Sequence, residues 1–165
     1  WELHDVSTWG NLGTVSSSSS ILLSSQPLES EIHISGLPTF HAEVRANSCN
    51  GGQLFVTMSD GTSGLRLGHA TMDLRYRDGG YEAKPVTPFS SYTMKIEFNP
   101  MDVVIPEGHS IQLEISDSGE DYLPSTCASA GVTLIETEQP LALPLIDRSA
   151  KDERWFDVPP WWESN

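Results

Sequence analysis

Serine, histidine and acidic side chains could carry out hydrolysis here if their spacing placed them together. An α/β serine hydrolase holds its nucleophile on a sharp Gly-x-Ser-x-Gly turn, which projects the hydroxyl towards a histidine and an oxyanion hole. No such pentapeptide occurs in the 165 residues. The closest segment, Thr62-Ser63-Gly64, follows Asp60-Gly61 and is typical of a hairpin turn. We therefore assign no catalytic residue, and hydrolysis by this chain alone is the weakest of three hypotheses.

Metal binding has two weak candidates in the sequence. The five histidines never occur at a zinc-ligand spacing such as His-Glu-x-x-His. His41, Glu43 and Arg45 would share one face of a strand, a pattern that favours a solvated sheet surface over a metal or ligand site. Three acidic residues crowd into one loop with the oxygen donors that calcium prefers: Asp117, Glu120 and Asp121. Their spacing does not match an EF-hand, so we expect no cofactor, with calcium at this loop as the alternative.

The charge balance excludes two classes of partner. Nine basic and 23 acidic side chains give a formal charge of −14. Binding to nucleic acid needs clustered Lys and Arg that displace counterions from phosphates, and here the basic residues are scattered. Anionic membrane surfaces repel such a chain, and no run of 18 apolar residues could span a bilayer. We expect neither a nucleic acid nor a membrane as partner.

The two cysteines, Cys49 and Cys127, both lie in turn-like segments. They are either unrelated thiols or a disulfide that joins two loops. A bond closing about 80 residues would stabilise the fold by about 4 to 5 kcal/mol. It would also favour an extracytoplasmic or secreted location. Because the chain begins at Trp1, we expect it to be part of a longer polypeptide, with any signal segment and a catalytic domain upstream.

Apolar and polar residues alternate through most of the chain, which predicts half-buried β-strands. The clearest alternation falls at 40–46, 54–58, 92–98 and 111–115, and each of these strands should have one core face and one wet face. Further strands are expected at 19–24, 29–35, 65–77, 101–105 and 132–138. The turn residues between them and the lack of a convincing helix predict an all-β antiparallel sandwich of jelly-roll type. Residues 78–88 should form a surface loop that joins strands across the sandwich.

The two ends of the chain differ from this central region. We expect residues 1–18 to lead in from a missing upstream domain, residues 19–146 to form the sandwich, and residues 147–165 to form an aromatic tail. Leaving four aromatic rings in water is costly, so the tail should dock on the sandwich or on a neighbouring domain. The candidate interface residues are Trp155, Phe156, Trp161 and Trp162.

An ordered series of motifs resembles a known family over about residues 20–146. The motifs are Ser24-Ser25-Gln26-Pro27-Leu28-Glu29, Asp60-Gly61, Leu74-Arg75-Tyr76-Arg77, a Tyr-x-Met-x-Ile-x-Phe strand followed by Pro100, and Glu107-Gly108-His109-Ser110-Ile111. In this order they resemble the C-terminal domain of X-Pro dipeptidyl-peptidase and cocaine-esterase-type serine hydrolases. In that family the domain is a galactose-binding-like jelly roll that packs on an α/β-hydrolase domain carrying the Ser-Asp-His triad.

The resemblance implies that this chain is the non-catalytic module of a serine peptidase or esterase. Ser110 stands where the family commonly has arginine after Gly-His, which suggests a divergent branch. We expect His109 to be structural, with a ring nitrogen bonded to a loop carbonyl. Arg75 and Arg77 are expected on one strand face, paired with acidic groups of the sandwich or of the catalytic domain.

Two further hypotheses therefore stand beside catalysis by the chain itself. The favoured one is an accessory domain that supports an α/β-hydrolase domain, shapes substrate access and helps to assemble a homo-oligomer. The alternative is a carbohydrate-binding or adhesive module that stacks sugars on exposed tyrosines, with calcium in the acidic loop. The candidate tyrosines are Tyr76, Tyr81 and Tyr122.

Overall fold

A computed structural model describes residues 14–15, 20–47, 51–117, 119, 132–135 and 141–146 of the chain. Its strands are β1 (Thr14–Val15), β2 (Ile21–Ser24), β3 (Ile32–Gly36), β4 (Thr39–Ala46), β5 (Gln53–Asp60), β6 (Arg66–Asp73), β7 (Ser91–Glu97), β8 (Met101–Ile105), β9 (Ile111–Ser116), β10 (Val132–Ile135) and β11 (Leu141–Ala142). The described part of the chain holds one 3-10 turn, Leu74–Tyr76, and no α-helix. None of its elements is a helix that could cross a membrane.

All strand pairs of the described residues are antiparallel, which confirms the predicted all-β antiparallel class. In one sheet β4 pairs with β7 along most of its length, and also with β10 and β11; β1 extends the sheet beyond β10. The second sheet has the order β2-β9-β5-β6, and β3 pairs with β8 in a two-stranded ribbon. Residues 78–88 lie between β6 and β7 and so connect the two larger sheets, as predicted.

The core lies between the inner faces of these sheets, to which β4, β5 and β9 each contribute every second side chain. In β4 the buried side chains are Phe40, Ala42, Val44 and Ala46, and β5 contributes Leu54, Val56 and Met58. Those of β9 are Ile111, Leu113 and Ile115, which join the same hydrophobic cluster. The alternation in the sequence therefore identified the core faces of these strands correctly. Burying apolar area of this extent is the main stabilising contribution to such a fold.

The strand predicted at 65–77 ends earlier, at Asp73. The side chain of Asp73 accepts a hydrogen bond from the backbone N–H of Arg75 at 2.8 Å and so caps a 3-10 turn. A capping carboxylate offers the backbone an alternative to the strand ladder. Arg75 and Arg77 consequently do not share a strand face, and that expectation was wrong.

The outer face of β5 is more buried than the alternation of its residues predicts. Phe55, expected on the wet face, is buried. Its ring stacks on the ring of His69, with the centroids 5.8 Å apart. The backbone of Gly119 lies so close that an added Cβ atom would come within 2.7 Å of the Phe55 ring. A residue more than 60 positions along the chain therefore covers this face, which local alternation could not reveal.

Candidate functional site

The turn after β5 is built around the side chain of Asp60. One carboxylate oxygen accepts hydrogen bonds from the backbone N–H groups of Thr62, at 2.9 Å, and Ser63, at 3.3 Å. The backbone carbonyl of Asp60 accepts a hydrogen bond from the N–H of Gly64 at 2.8 Å. The backbone N–H of Asp60 donates to the carbonyl of Leu65 at 2.9 Å. An aspartate that bonds the next two or three backbone amides is a turn-forming arrangement. It confirms the predicted turn at Thr62-Ser63-Gly64.

The other carboxylate oxygen of Asp60 joins two side chains. It accepts a hydrogen bond from the Ser63 hydroxyl at 2.6 Å and lies 2.7 Å from Nδ1 of His109, two residues before β9. Burial alone would raise the pKa of Asp60 by disfavouring the charged form. The hydrogen bonds from Ser63, His109 and the turn amides outweigh burial and hold that pKa well below its usual range. Asp60 is therefore a buried, ionised and fully bonded carboxylate.

This cluster contains the three residue types of a serine hydrolase triad in an unsuitable order. In a triad the serine hydroxyl bonds the histidine, which removes its proton, and the aspartate orients the far side of the ring. Here the Ser63 hydroxyl and the His109 ring both bond the same carboxylate. A carboxylate with so low a pKa is a poor base for the serine. The geometry suits a clamp that fixes the turn against β9, and it does not suit nucleophilic catalysis.

His109 also anchors the segment before β9 through its backbone. Its carbonyl accepts from Leu28 N–H at 2.7 Å, and the N–H of Gly108 donates to the Leu28 carbonyl at 2.9 Å. Gly108 has φ = +79°, a left-handed conformation that favours glycine. The ring nitrogen bonds a carboxylate instead of the loop carbonyl expected from the sequence. Asp60 outcompetes a carbonyl because a charged acceptor forms the stronger hydrogen bond.

Ser110, the residue after His109, lies against the same turn. Its N–H donates to the Thr62 hydroxyl at 3.3 Å, and its carbonyl accepts from Gly61 N–H at 2.8 Å. A Cβ atom added to Gly61 would come within 2.6 Å of the Ser110 hydroxyl oxygen. The small side chain at position 110 and the glycine at position 61 thus fit together closely.

A second group of polar contacts fixes the start of the loop after β6. The guanidinium of Arg75 forms an ion pair with Asp73, with Nη2 and Oδ2 2.6 Å apart. The guanidinium of Arg77 lies over the ring of Tyr92, 4.5 Å from the ring centroid. It also donates a hydrogen bond to the carbonyl of Leu74 at 3.1 Å. Arg75 therefore has the acidic partner within the sandwich that we expected, whereas Arg77 binds an aromatic face and a carbonyl.

The candidate sugar-stacking tyrosines have different surroundings. Tyr76 lies in the 3-10 turn, partly exposed, 5.9 Å from the Arg75 guanidinium. Tyr81 is fully exposed on the loop after β6. Tyr122 lies outside the described residues. The two candidates that the structure describes, Tyr76 and Tyr81, come from one segment of the chain. Sugar binding stays a prediction.

Most of the predicted binding and interface residues fall outside the described part of the chain. Asp117 is half-buried directly after β9, whereas Glu120 and Asp121 are not described. The same holds for Cys49 and Cys127 and for the aromatic residues of the tail, Trp155, Phe156, Trp161 and Trp162. Within the described ranges no cluster of three or more His, Cys, Asp or Glu could hold a metal ion. The calcium loop, the disulfide and the aromatic interface remain predictions.

The sequence did not reveal Asp60 as the partner of His109. Its Asp-Gly-Thr-Ser pattern indicates a turn, but the 49 positions between Asp60 and His109 leave no local signal for their contact. It also missed Phe89, the non-glycine residue with positive φ (+64°) in the described part of the chain. The available signal was a proline followed by a bulky residue, where a turn usually has Pro-Gly.

Comparisons with known proteins identify a family and similar folds for this chain. The family model for the X-Pro dipeptidyl-peptidase C-terminal non-catalytic domain matches residues 3–139. An α-amino acid ester hydrolase structure is similar with a TM-score of 0.63 and 18% identity over 77% of this chain and 25% of its own. An aminopeptidase from a marine sediment Thaumarchaeota archaeon is similar with a TM-score of 0.63 and 15% identity, and the match covers 81% of this chain and 28% of the aminopeptidase. A CocE/NonD family hydrolase from Staphylococcus aureus is similar with a TM-score of 0.58 and 11% identity, and the match covers 81% of this chain and 34% of the hydrolase.

These structures share the fold with this chain at low sequence identity. The chain spans about a quarter to a third of their length. No curated protein sequence matches it. The family match covers most of the 165 residues, and the clamp of Asp60, Ser63 and His109 lacks the order of a catalytic triad. The chain belongs to the family of X-Pro dipeptidyl-peptidase C-terminal non-catalytic domains.

Proposed function

We propose that this chain is the C-terminal accessory domain of a serine hydrolase, in which an α/β-hydrolase domain of the same polypeptide performs the chemistry. The family match over residues 3–139 is the observation that carries the proposal. The similar structures support it, because they are an amino acid ester hydrolase, an aminopeptidase and a CocE/NonD hydrolase. All three names denote hydrolases, of which this fold occupies a minor part.

The role of the domain in this proposal is mechanical. A rigid sandwich supports the hydrolase domain, limits the approach of substrate and contributes a surface for assembling a homo-oligomer. The clamp at Asp60 suits such a role, since it fixes the turn after β5 against β9 without exposing a reactive group. The substrate class is an ester or amide of an amino acid, including peptides with proline in the second position. An extracytoplasmic location is part of the proposal if Cys49 and Cys127 are bonded.

The test uses the whole polypeptide that carries this chain. Hydrolysis of an X-Pro p-nitroanilide and of an α-amino acid ester should be detected, and the variant Ser63→Ala should retain the wild-type kcat. Replacing the serine of a Gly-x-Ser-x-Gly turn outside the 165 residues should abolish hydrolysis. A whole polypeptide without a hydrolase domain, or one inactivated by Ser63→Ala while still folded by circular dichroism, would refute the proposal. Light scattering of the same sample measures the oligomeric state.

A further inference from the structure

We infer that the loop from Arg77 to Phe89, between β6 and β7, is the surface on which the hydrolase domain docks, with Tyr81 and Phe89 as its anchors. The inference rests on the proposed function and adds to it the site of contact. Tyr81 is fully exposed and Phe89 is 70% exposed, and both lie on this one loop. Of the other large exposed apolar side chains in the described residues, Tyr76 directly precedes this loop, and the rest, such as Leu22 and Leu65, are aliphatic and scattered.

The backbone of Phe89 is the strongest single observation. Pro88 and Phe89 are the central residues of a turn in which Ser90 N–H donates to the Thr87 carbonyl at 3.3 Å. Phe89 has φ = +64° in the place that glycine usually occupies in a type II turn. A bulky side chain is unfavourable there, and its ring gains little burial within the sandwich in return. Hydrogen bonds from Phe89 N–H to the Ala46 carbonyl, at 2.7 Å, and from Ala46 N–H to the Ser90 carbonyl, at 3.1 Å, hold this backbone in place. They do not account for a phenylalanine at a position where glycine would fit without strain.

The loop is also held in a fixed shape. Lys84 N–H donates to the Arg75 carbonyl at 2.8 Å, and Thr87 N–H donates to the Tyr92 hydroxyl at 2.7 Å. Val86 is buried in the core between these two anchors. The guanidinium of Arg77 reaches the Pro85 carbonyl at 3.4 Å from its position over the Tyr92 ring. A surface ordered before binding loses little conformational freedom on docking, which is typical of anchor residues.

The charge of this region suits a buried contact with a protein domain. The chain carries −14, yet positions 73–89 hold three basic and three acidic side chains. Asp73 pairs with Arg75, and Asp78 forms an ion pair with Lys84. Pairing of these four charges leaves fewer unpaired charges to bury, and the exposed Glu82 beside Tyr81 would have to lie at the rim, because the centres of protein interfaces are depleted of unpaired charges. The partner that fits is an apolar recess with a hydrogen-bond acceptor for the Tyr81 hydroxyl, on the hydrolase domain of a polypeptide in which, as in the similar structures, this fold is a minor part.

The test is hydroxyl-radical footprinting of the whole polypeptide, read residue by residue by mass spectrometry. Exposed aromatic side chains react faster than leucine, so an undocked Tyr81 should be modified faster than Leu65, which is 60% exposed. In the docked protein we expect Tyr81 to react at least about tenfold more slowly than free tyrosine. Phe89→Gly should remove most of that protection. The variant is expected to fold, because glycine is favoured at φ = +64°. Leu65→Ser, a matched change outside the loop, should leave Tyr81 protected.

Several results would overturn the inference. Tyr81 could react as free tyrosine in the whole polypeptide, or its protection could survive Phe89→Gly. Protection that rises with protein concentration would assign the loop to a second copy of the chain, and protection that needs an added oligosaccharide would assign it to sugar binding. A whole polypeptide with an active hydrolase domain and a reactive Tyr81 refutes this inference alone. One without a hydrolase domain refutes the proposed function as well.

Discussion

At the scale of single residues, the buried carboxylate of Asp60 determines how the turn after β5 is held. It accepts four hydrogen bonds, two from backbone N–H groups and two from side chains. Asp60→Asn removes the charge and turns one acceptor oxygen into a donor that faces other donors. We expect it to lower the free energy of unfolding by about 1 to 3 kcal/mol in urea titrations at pH 7.

The matched control is Glu97→Gln, which removes the exposed ion pair of Glu97 with Lys95 at 3.3 Å. Surface pairs of this kind contribute little, so a change below about 0.5 kcal/mol is expected. Equal effects of the two substitutions would show that the Asp60 hydrogen bonds do not stabilise the turn.

The same carboxylate makes stability depend on pH in acid. The folded-state pKa of Asp60 lies well below its ordinary value of 3.8, so its contribution is fully present above about pH 5. As the pH falls further, the unfolded chain binds the proton first and the contribution decreases towards the folded pKa. The difference in unfolding free energy between the wild type and Asp60→Asn should shrink as the pH falls below about 4. A difference that grows below about pH 4 would contradict the assigned ionisation.

The sequence predicted the turn at this site but not its partner. Asp60-Gly61 is a turn signal that acts over a few residues, and the hydroxyl of Ser63 follows from it. The contact with His109 depends on β9 pairing beside β5, which is a property of the assembled sheet. Sequence reasoning placed His109 at a strand start and gave it a structural role, and it assigned the bond to the wrong acceptor.

At the scale of elements, the outer face of β5 shows what local patterns omit. Alternation identified the core faces of β4, β5, β7 and β9 because each of those faces meets the other sheet. It missed the burial of Phe55, since Gly119 and His69 cover that ring from distant parts of the chain. It also extended β6 from Asp73 to Arg77, because a capping aspartate ends a strand without breaking the alternation of residue types.

The contact between Phe55 and Gly119 can be tested by adding one carbon atom. Gly119→Ala would place Cβ within 2.7 Å of the Phe55 ring, which must then move in a packed environment. We expect the free energy of unfolding to fall by about 1 to 3 kcal/mol, measured by urea titration. Gly80→Ala serves as the control, because its nearest neighbour would lie at 3.9 Å. A neutral Gly119→Ala would mean that the covering segment yields easily.

At the scale of the whole molecule, the chain combines a well-formed sandwich with a loop that exposes two aromatic side chains. The core is continuous between the sheets, while the loop after β6 displays Tyr81 and Phe89 on rigid supports. The residue types and motif order predicted the fold class and the family resemblance. They could not show which surface meets a partner, because exposure depends on the packing of every neighbouring element.

The central claim, that the reactive serine of the protein lies outside this chain, is tested most directly by labelling the whole polypeptide with a fluorophosphonate and mapping the modified peptide. This reagent bonds covalently to a serine that a neighbouring base has activated. The Ser63 hydroxyl instead donates to the ionised carboxylate of Asp60 at 2.6 Å, so it should not react. We predict a single labelled serine, within a Gly-x-Ser-x-Gly turn outside the 165 residues. A label on Ser63, or on any other serine of this chain, would contradict the account.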